Sequence, residues 1–160
     1  MKDFKARTEG INSAFLAGDQ FELDNGAAPV DTLKPGTLLY MNTNGAFEIL
    51  DGLTVTISNK HRVYYSNSWR DSVSPYGNSM VSAIPITKQF EYEITFEAGD
   101  EAIEPGADLA IGDLLCIRGG LYDEAGQGDY VIGSVKSGSA TADLGGTITV
   151  VTWGGDYEIA

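Results

Sequence analysis

The run Lys88-Gln89-Phe90-Glu91-Tyr92-Glu93-Ile94-Thr95-Phe96-Glu97 alternates apolar and polar residues without a break. Successive side chains on a strand point to opposite faces. Phe90, Tyr92, Ile94 and Phe96 therefore share one face, and Gln89, Glu91, Glu93, Thr95 and Glu97 the other. This is a half-buried strand with a greasy side and a carboxylate-lined side, and the rest of the chain follows the same plan of short alternating runs and glycine turns.

Turn chemistry divides the remainder. Leu33-Lys34-Pro35-Gly36 is a turn, because proline presets φ and glycine supplies a positive φ. Asn44-Gly45 and Asp51-Gly52 are hairpin signals, so Thr37–Met41, Ala46–Leu50 and Leu53–Ile57 are expected to form a three-strand meander. Pro85 has no amide donor and belongs at a strand start or a sheet edge. Gly112–Arg118, Tyr130–Val135 and Thr147–Trp153 read as further strands, with a short final one at Asp156–Ala160. The Ser/Gly/Ala/Thr stretch Lys136–Gly146 reads as a loose loop. With 20 glycines in 160 residues, the expected fold is all-β: a small β-barrel or β-sandwich, β-tulip or jelly-roll-like, of about 8–10 short antiparallel strands.

Two segments fall outside that pattern. Residues 1–30 carry no sustained period and read as an extended N-terminal arm ahead of a single β domain over 31–160. Residues 61–82 hold Tyr64, Tyr65, Trp69 and Tyr76 among polar residues, with Pro75 and Gly77 as breakers, and read as a long exposed aromatic loop or hairpin tip. Loops of that length tend to carry function. A fainter signal is an internal echo: Leu33-Lys34-Pro35-Gly36-Thr37-Leu38-Leu39-Tyr40 against Leu109-Ala110-Ile111-Gly112-Asp113-Leu114-Leu115-Cys116. Each places a glycine turn before an apolar strand, as two similar β-units in one domain would, although a glycine-rich β protein also produces such echoes by chance.

Charge and missing motifs narrow the function. The net charge is −13. Residues 1–88 carry 9 acids and 8 bases, whereas residues 89–160 carry 14 acids and 2 bases. Such a field repels phosphate backbones, so no nucleic-acid partner is expected. No apolar run is long enough for a transmembrane helix, and the N-terminal residues are too polar for a signal-peptide core; synthesis in the cytoplasm is expected. Cys116, the only cysteine, lies in an apolar run and reads as buried filler. The sole histidine, His61, has no nucleophile placed beside it by any motif, and no phosphate-binding or zinc motif is present. No enzyme activity, cofactor or metal is expected. Glu97, Asp100, Glu101, Glu104 and Asp108 offer oxygen ligands, but their spacing does not match the calcium loop; Asp123, Glu124 and Asp129 form a similar group. A solvated acidic loop is the plainer account of both.

The pattern residues resemble the tailed-bacteriophage head decoration, or capsid cement, proteins. The likeness rests on Val30-Asp31-Thr32-Leu33-Lys34-Pro35-Gly36-Thr37-Leu38-Leu39, Ile111-Gly112-Asp113-Leu114, Gly128-Asp129-Tyr130-Val131-Ile132-Gly133-Ser134-Val135 and the following Gly-Gly-Thr-Ile-Thr-Val strand. The resemblance implies a protein on the outer surface of the virion capsid that binds the major capsid protein and stabilises the shell. It also implies self-association, as a homotrimer or alternatively a dimer. The interface residues expected from composition are Phe15, Leu16, Phe21 and Leu23 in the arm, with Arg62, Tyr64, Tyr65, Trp69, Arg70 and Tyr76 in the aromatic loop, since Tyr, Trp and Arg anchor interfaces. The competing reading is a carbohydrate- or receptor-binding module stacking sugars on Tyr64, Tyr65, Trp69 and Trp153.

Overall fold

A computed structural model describes residues 1, 3–7, 20–22, 32–33, 35–66, 70–71, 80–152 and 157–160. The strands are β1 (Asp3–Arg7), β2 (Gln20–Glu22), β3 (Thr32–Leu33), β4 (Leu38–Met41), β5 (Phe47–Ile49), β6 (Val63–Ser66), β7 (Arg70–Asp71), β8 (Met80–Pro85), β9 (Glu91–Phe96), β10 (Asp108–Leu109), β11 (Leu114–Arg118), β12 (Leu121–Glu124), β13 (Gly133–Thr141) and β14 (Gly145–Thr152). They form a seven-stranded sheet, ordered β1-β9-β14-β13-β11-β12 with β10 on β13, a five-stranded sheet, ordered β2-β8-β6-β4-β5, and the pair β3–β7. All the ladders are antiparallel. The two larger sheets pack as a sandwich rather than close into a barrel.

The core lies between them. Leu38, Val63, Tyr65 and Ile84 of the five-stranded sheet meet Tyr92, Ile94, Leu115, Ile117, Ile148 and Val150 of the seven-stranded one. The alternation read from β9 holds: Tyr92, Ile94 and Phe96 are buried, while Glu91, Glu93 and Thr95 are only half covered. Three aromatic rings mark the seam, with Tyr65 and Tyr92 centroids 5.1 Å apart and Tyr65 and Phe90 at 5.7 Å. The Tyr65 and Tyr92 hydroxyls share a 3.2 Å hydrogen bond. Burial pushes the Tyr65, Tyr92 and Tyr122 phenols well above their usual range, so all three are neutral.

The internal echo is a true duplication. In the first unit Phe21 pairs Val81, Tyr65 pairs Ile84, Leu39 pairs Tyr64 and Met41 pairs Phe47. In the second, Ile94 pairs Ile148, Ser134 pairs Val151, Leu115 pairs Gly133 and Ile117 pairs Tyr122. The strand order β2-β8-β6-β4-β5 thus recurs as β9-β14-β13-β11-β12 with one consistent correspondence of residues. Turn bonds recur too: Gly36 N to Ser66 O matches Gly112 N to Val135 O, and Leu50 N to Leu38 O matches Ala125 N to Leu114 O. The pair β3–β7 corresponds to β10 on β13, displaced by the single residue that the bulge at Val135/Ser137 inserts.

The correspondence also shows how the units stack. Leu115, Ile117, Tyr122 and Val150 face the shared core, but their counterparts Leu39, Met41, Phe47 and Ala83 lie on the far side of the first sheet, in a separate buried cluster with Tyr64. The first unit therefore packs through the face opposite to the one that the second unit uses. The two sheets follow one another in the same sense instead of meeting like face to like face.

Three expectations are corrected. Leu53–Ile57 is not the third meander strand: Asn59 Oδ1 accepts the Thr56 amide and Asn59 Nδ2 donates to the Thr54 carbonyl, which turns the chain, and β6 takes the place beside β4. The loose loop at Lys136–Gly146 is instead the heart of the β13–β14 hairpin. Its glycines permit close pairing, since a Cβ on Gly138 would lie 2.1 Å from the Thr147 carbonyl oxygen and one on Gly146 2.2 Å from that of Ser139. Within the extended N-terminal arm, Asp3–Arg7 and Gln20–Glu22 pair as strands of the chain's own sheets. Val63–Ser66, expected in an exposed loop or hairpin tip, is instead the buried strand β6, which pairs antiparallel with β8.

Candidate interaction surface

Tyr64 and Tyr65, expected on an exposed loop, sit in β6, where all four residues are buried. Tyr65 has no exposed surface and faces the sandwich core, while Tyr64, 8% exposed, packs on Phe47 with ring centroids 4.9 Å apart. Sheet on one side and an apolar cluster on the other cover both faces of this strand, which is why its sequence shows no alternation. Neither ring offers a face to a partner or a sugar. Arg62 is turned onto its own chain: its guanidinium carbon lies 4.5 Å from the Tyr40 ring centroid and Nε donates to the Met41 carbonyl at 2.8 Å. The backbone places Phe21 in β2 and Arg70 in β7. Phe15, Leu16, Leu23, Trp69 and Tyr76, together with Trp153, lie outside the described residues.

The acids have a clear structural use that the sequence reading missed. Glu97–Asp100, Ala110–Asp113 and Gly126–Asp129 are turns of one design. In each, the aspartate amide donates to the carbonyl of the first residue, and the aspartate carboxylate accepts that residue's amide at 2.9, 2.7 and 2.8 Å. The residue before each aspartate is a glycine at positive φ, Gly99, Gly112 and Gly128, as a tight turn of this type requires. The shared sequence signal is Gly-Asp at the end of a four-residue turn. Asp100 also accepts the Ala102 amide at 2.9 Å and pairs with the Met1 ammonium. Burial alone would raise its pKa, but that ion pair and the two amides outweigh it and hold the carboxyl below its usual range.

The second acidic group resolves the same way. Arg118 bridges Asp123 and Asp129, and Asp129 is held low by the Gly126 amide and Arg118 against the opposing effect of burial. Among the described residues no three acids, histidines or cysteines converge as a metal site. Cys116 is buried as expected, with its thiol pushed up to about 12 by burial first and the nearby Asp129 second, so it is not a reactive nucleophile.

Among the described residues, two surfaces stand out. The outer face of the seven-stranded sheet sets Glu91 and Glu93 of β9 beside Val151 and Thr149 of β14, and Thr95 beside Thr147. The two threonine hydroxyls bond at 2.9 Å and Lys136 pairs with Glu91 at 2.9 Å. This is a hydroxyl-and-carboxylate surface. The other is a cleft of about 240 Å³ where the units meet, bordered by Met1, Leu38, Ile49, Ala102 and Tyr122. It is mainly apolar and holds no pair of groups arranged for acid–base or nucleophilic chemistry. Among known proteins, no family model matches the chain, and a search of curated proteins finds no match.

Proposed function

We propose that the chain is a structural binding protein of a tailed-phage head, seated on the outer capsid surface and reinforcing the shell through contact with the major capsid protein. The observation that carries this reading is the economy of the acidic half. Its turn aspartates are engaged in closing turns, which braces the scaffold, while Glu91, Glu93, Thr95 and Thr147 give the seven-stranded sheet a polar outer face in which Lys136 pairs with Glu91. A braced surface loses little freedom on docking, and the chain's net charge of −13 suits a basic patch on the lattice while keeping the free protein soluble. The sequence resemblance supplies the setting. The sugar-binding alternative loses Tyr64 and Tyr65 as stacking platforms, so no described residue favours it.

Co-sedimentation with emptied phage heads tests the proposal. The expected result is saturable binding that weakens as salt rises, together with heads that withstand higher temperature or denaturant when decorated. Absence of the chain from pelleted heads at all salt concentrations would refute it.

A further inference from the structure

β1 stands apart in the duplicated fold. The five strands β9, β14, β13, β11 and β12 already repeat the whole of β2, β8, β6, β4 and β5, and β1 is added to them along the free side of β9. It is the N-terminal contribution to a sheet otherwise built from residues 91–152. Its seat nevertheless fits it closely. Phe4 is 5% exposed, with its ring centroid 4.9 Å from that of Tyr92 and 5.5 Å from that of Tyr65. Gly36 borders this ring so tightly that a Cβ there would lie 2.4 Å from Phe4 Cγ. Along the strand the register sets Lys5 opposite Glu93 and Arg7 opposite Glu91, placing bases on the half of the chain that carries 14 acids and 2 bases.

The slot is therefore complementary to this chain's own first strand in shape, main-chain hydrogen bonding and charge. None of those three features depends on which molecule supplies the strand. An edge strand of this kind is the element that copies exchange most readily, because swapping preserves every native contact. We propose that β1 is a donated strand that can occupy the β9 edge of a second copy of this chain, linking copies through the same pairing that the structure shows closed within one molecule. This inference is independent of the capsid reading and needs no shell to test.

The experiment uses two full-length variants, Lys5→Cys and Glu93→Cys, mixed at high concentration under mild oxidation. Cys116 is buried and does not compete. The expected product is a mixed disulfide dimer, at least about tenfold more abundant than the dimer from Lys5→Cys mixed with Thr147→Cys, since docked strands hold the paired thiols at high effective concentration. The double variant Lys5→Cys/Glu93→Cys should close within one chain when dilute and between chains when concentrated. Mixed dimers no more abundant than the out-of-register control, or a double variant that closes only within one chain at every concentration, would overturn the proposal. A double variant that forms neither link would overturn it as well.

Discussion

Gly36 concentrates two demands on one residue. Its φ is +83° and its missing side chain makes room for Phe4. Gly36→Ala should cost about 1–2 kcal/mol from the backbone alone and more from the displaced ring, read as a lower urea midpoint with an unchanged m-value. The turn aspartates set a pH dependence. Asp100 and Asp129 have carboxyls held below their usual range in the folded state, so the unfolded chain binds protons first as pH falls. Their stabilisation is complete above about pH 4, the ordinary aspartate range, and is lost as acid titrates the folded carboxyls. Urea midpoints measured downward from neutrality should decline below that point, and Asp100→Asn should flatten part of the decline. The Gly-Asp spelling of these turns was legible in the sequence. Their use was not, because reading acids for calcium ligands looks at spacing between carboxylates and ignores the amide three residues back.

At the level of elements, β9 was the easiest to read, since one face is core and the other is open, and its period of two survives intact. β6 was the hardest: with both of its faces covered, Val63-Tyr64-Tyr65-Ser66 has no alternation to detect. The β13–β14 hairpin was hidden for the opposite reason. Ser137, Gly138 and Ser139 have turn-like composition, yet they pair because the neighbouring backbone approaches where a side chain would stand. Gly138→Ala should therefore cost more than about 2 kcal/mol, combining a positive φ with overpacking, and should raise amide exchange along both strands. β1 changes the expectation for the N-terminal arm. Phe4→Ala should cost about 3 kcal/mol, because the ring fills the seam beside Tyr65 and Tyr92, whereas a loose arm would tolerate the change with no shift in the unfolding midpoint.

On the scale of the molecule, the all-β class was legible from the turn signals, and the 33–40 and 109–116 echo pointed to the repeat without separating barrel from sandwich. Strand order and the packing sense could not be read, because they depend on which apolar face meets which, and both faces of the first unit are apolar. The shared core makes the units interdependent. Tyr65→Ala should destabilise by about 3–5 kcal/mol and leave a single cooperative transition, seen as coincident near- and far-UV circular dichroism melts. Separate transitions for the two sheets would show that the seam between them contributes little.

The same-sense stacking gives the molecule a direction. Had the units met through equivalent faces, its two outsides would have been alike and either could have approached a flat target. Here the outer face of the second sheet is the hydroxyl-and-carboxylate surface, where Ser134 and Val151 stand in place of Tyr65 and Ile84, whereas the corresponding side of the first sheet is covered over the buried cluster of Leu39, Phe47, Tyr64 and Ala83. The two sides of the molecule therefore differ in chemistry, and a surface complementary to one is not complementary to the other.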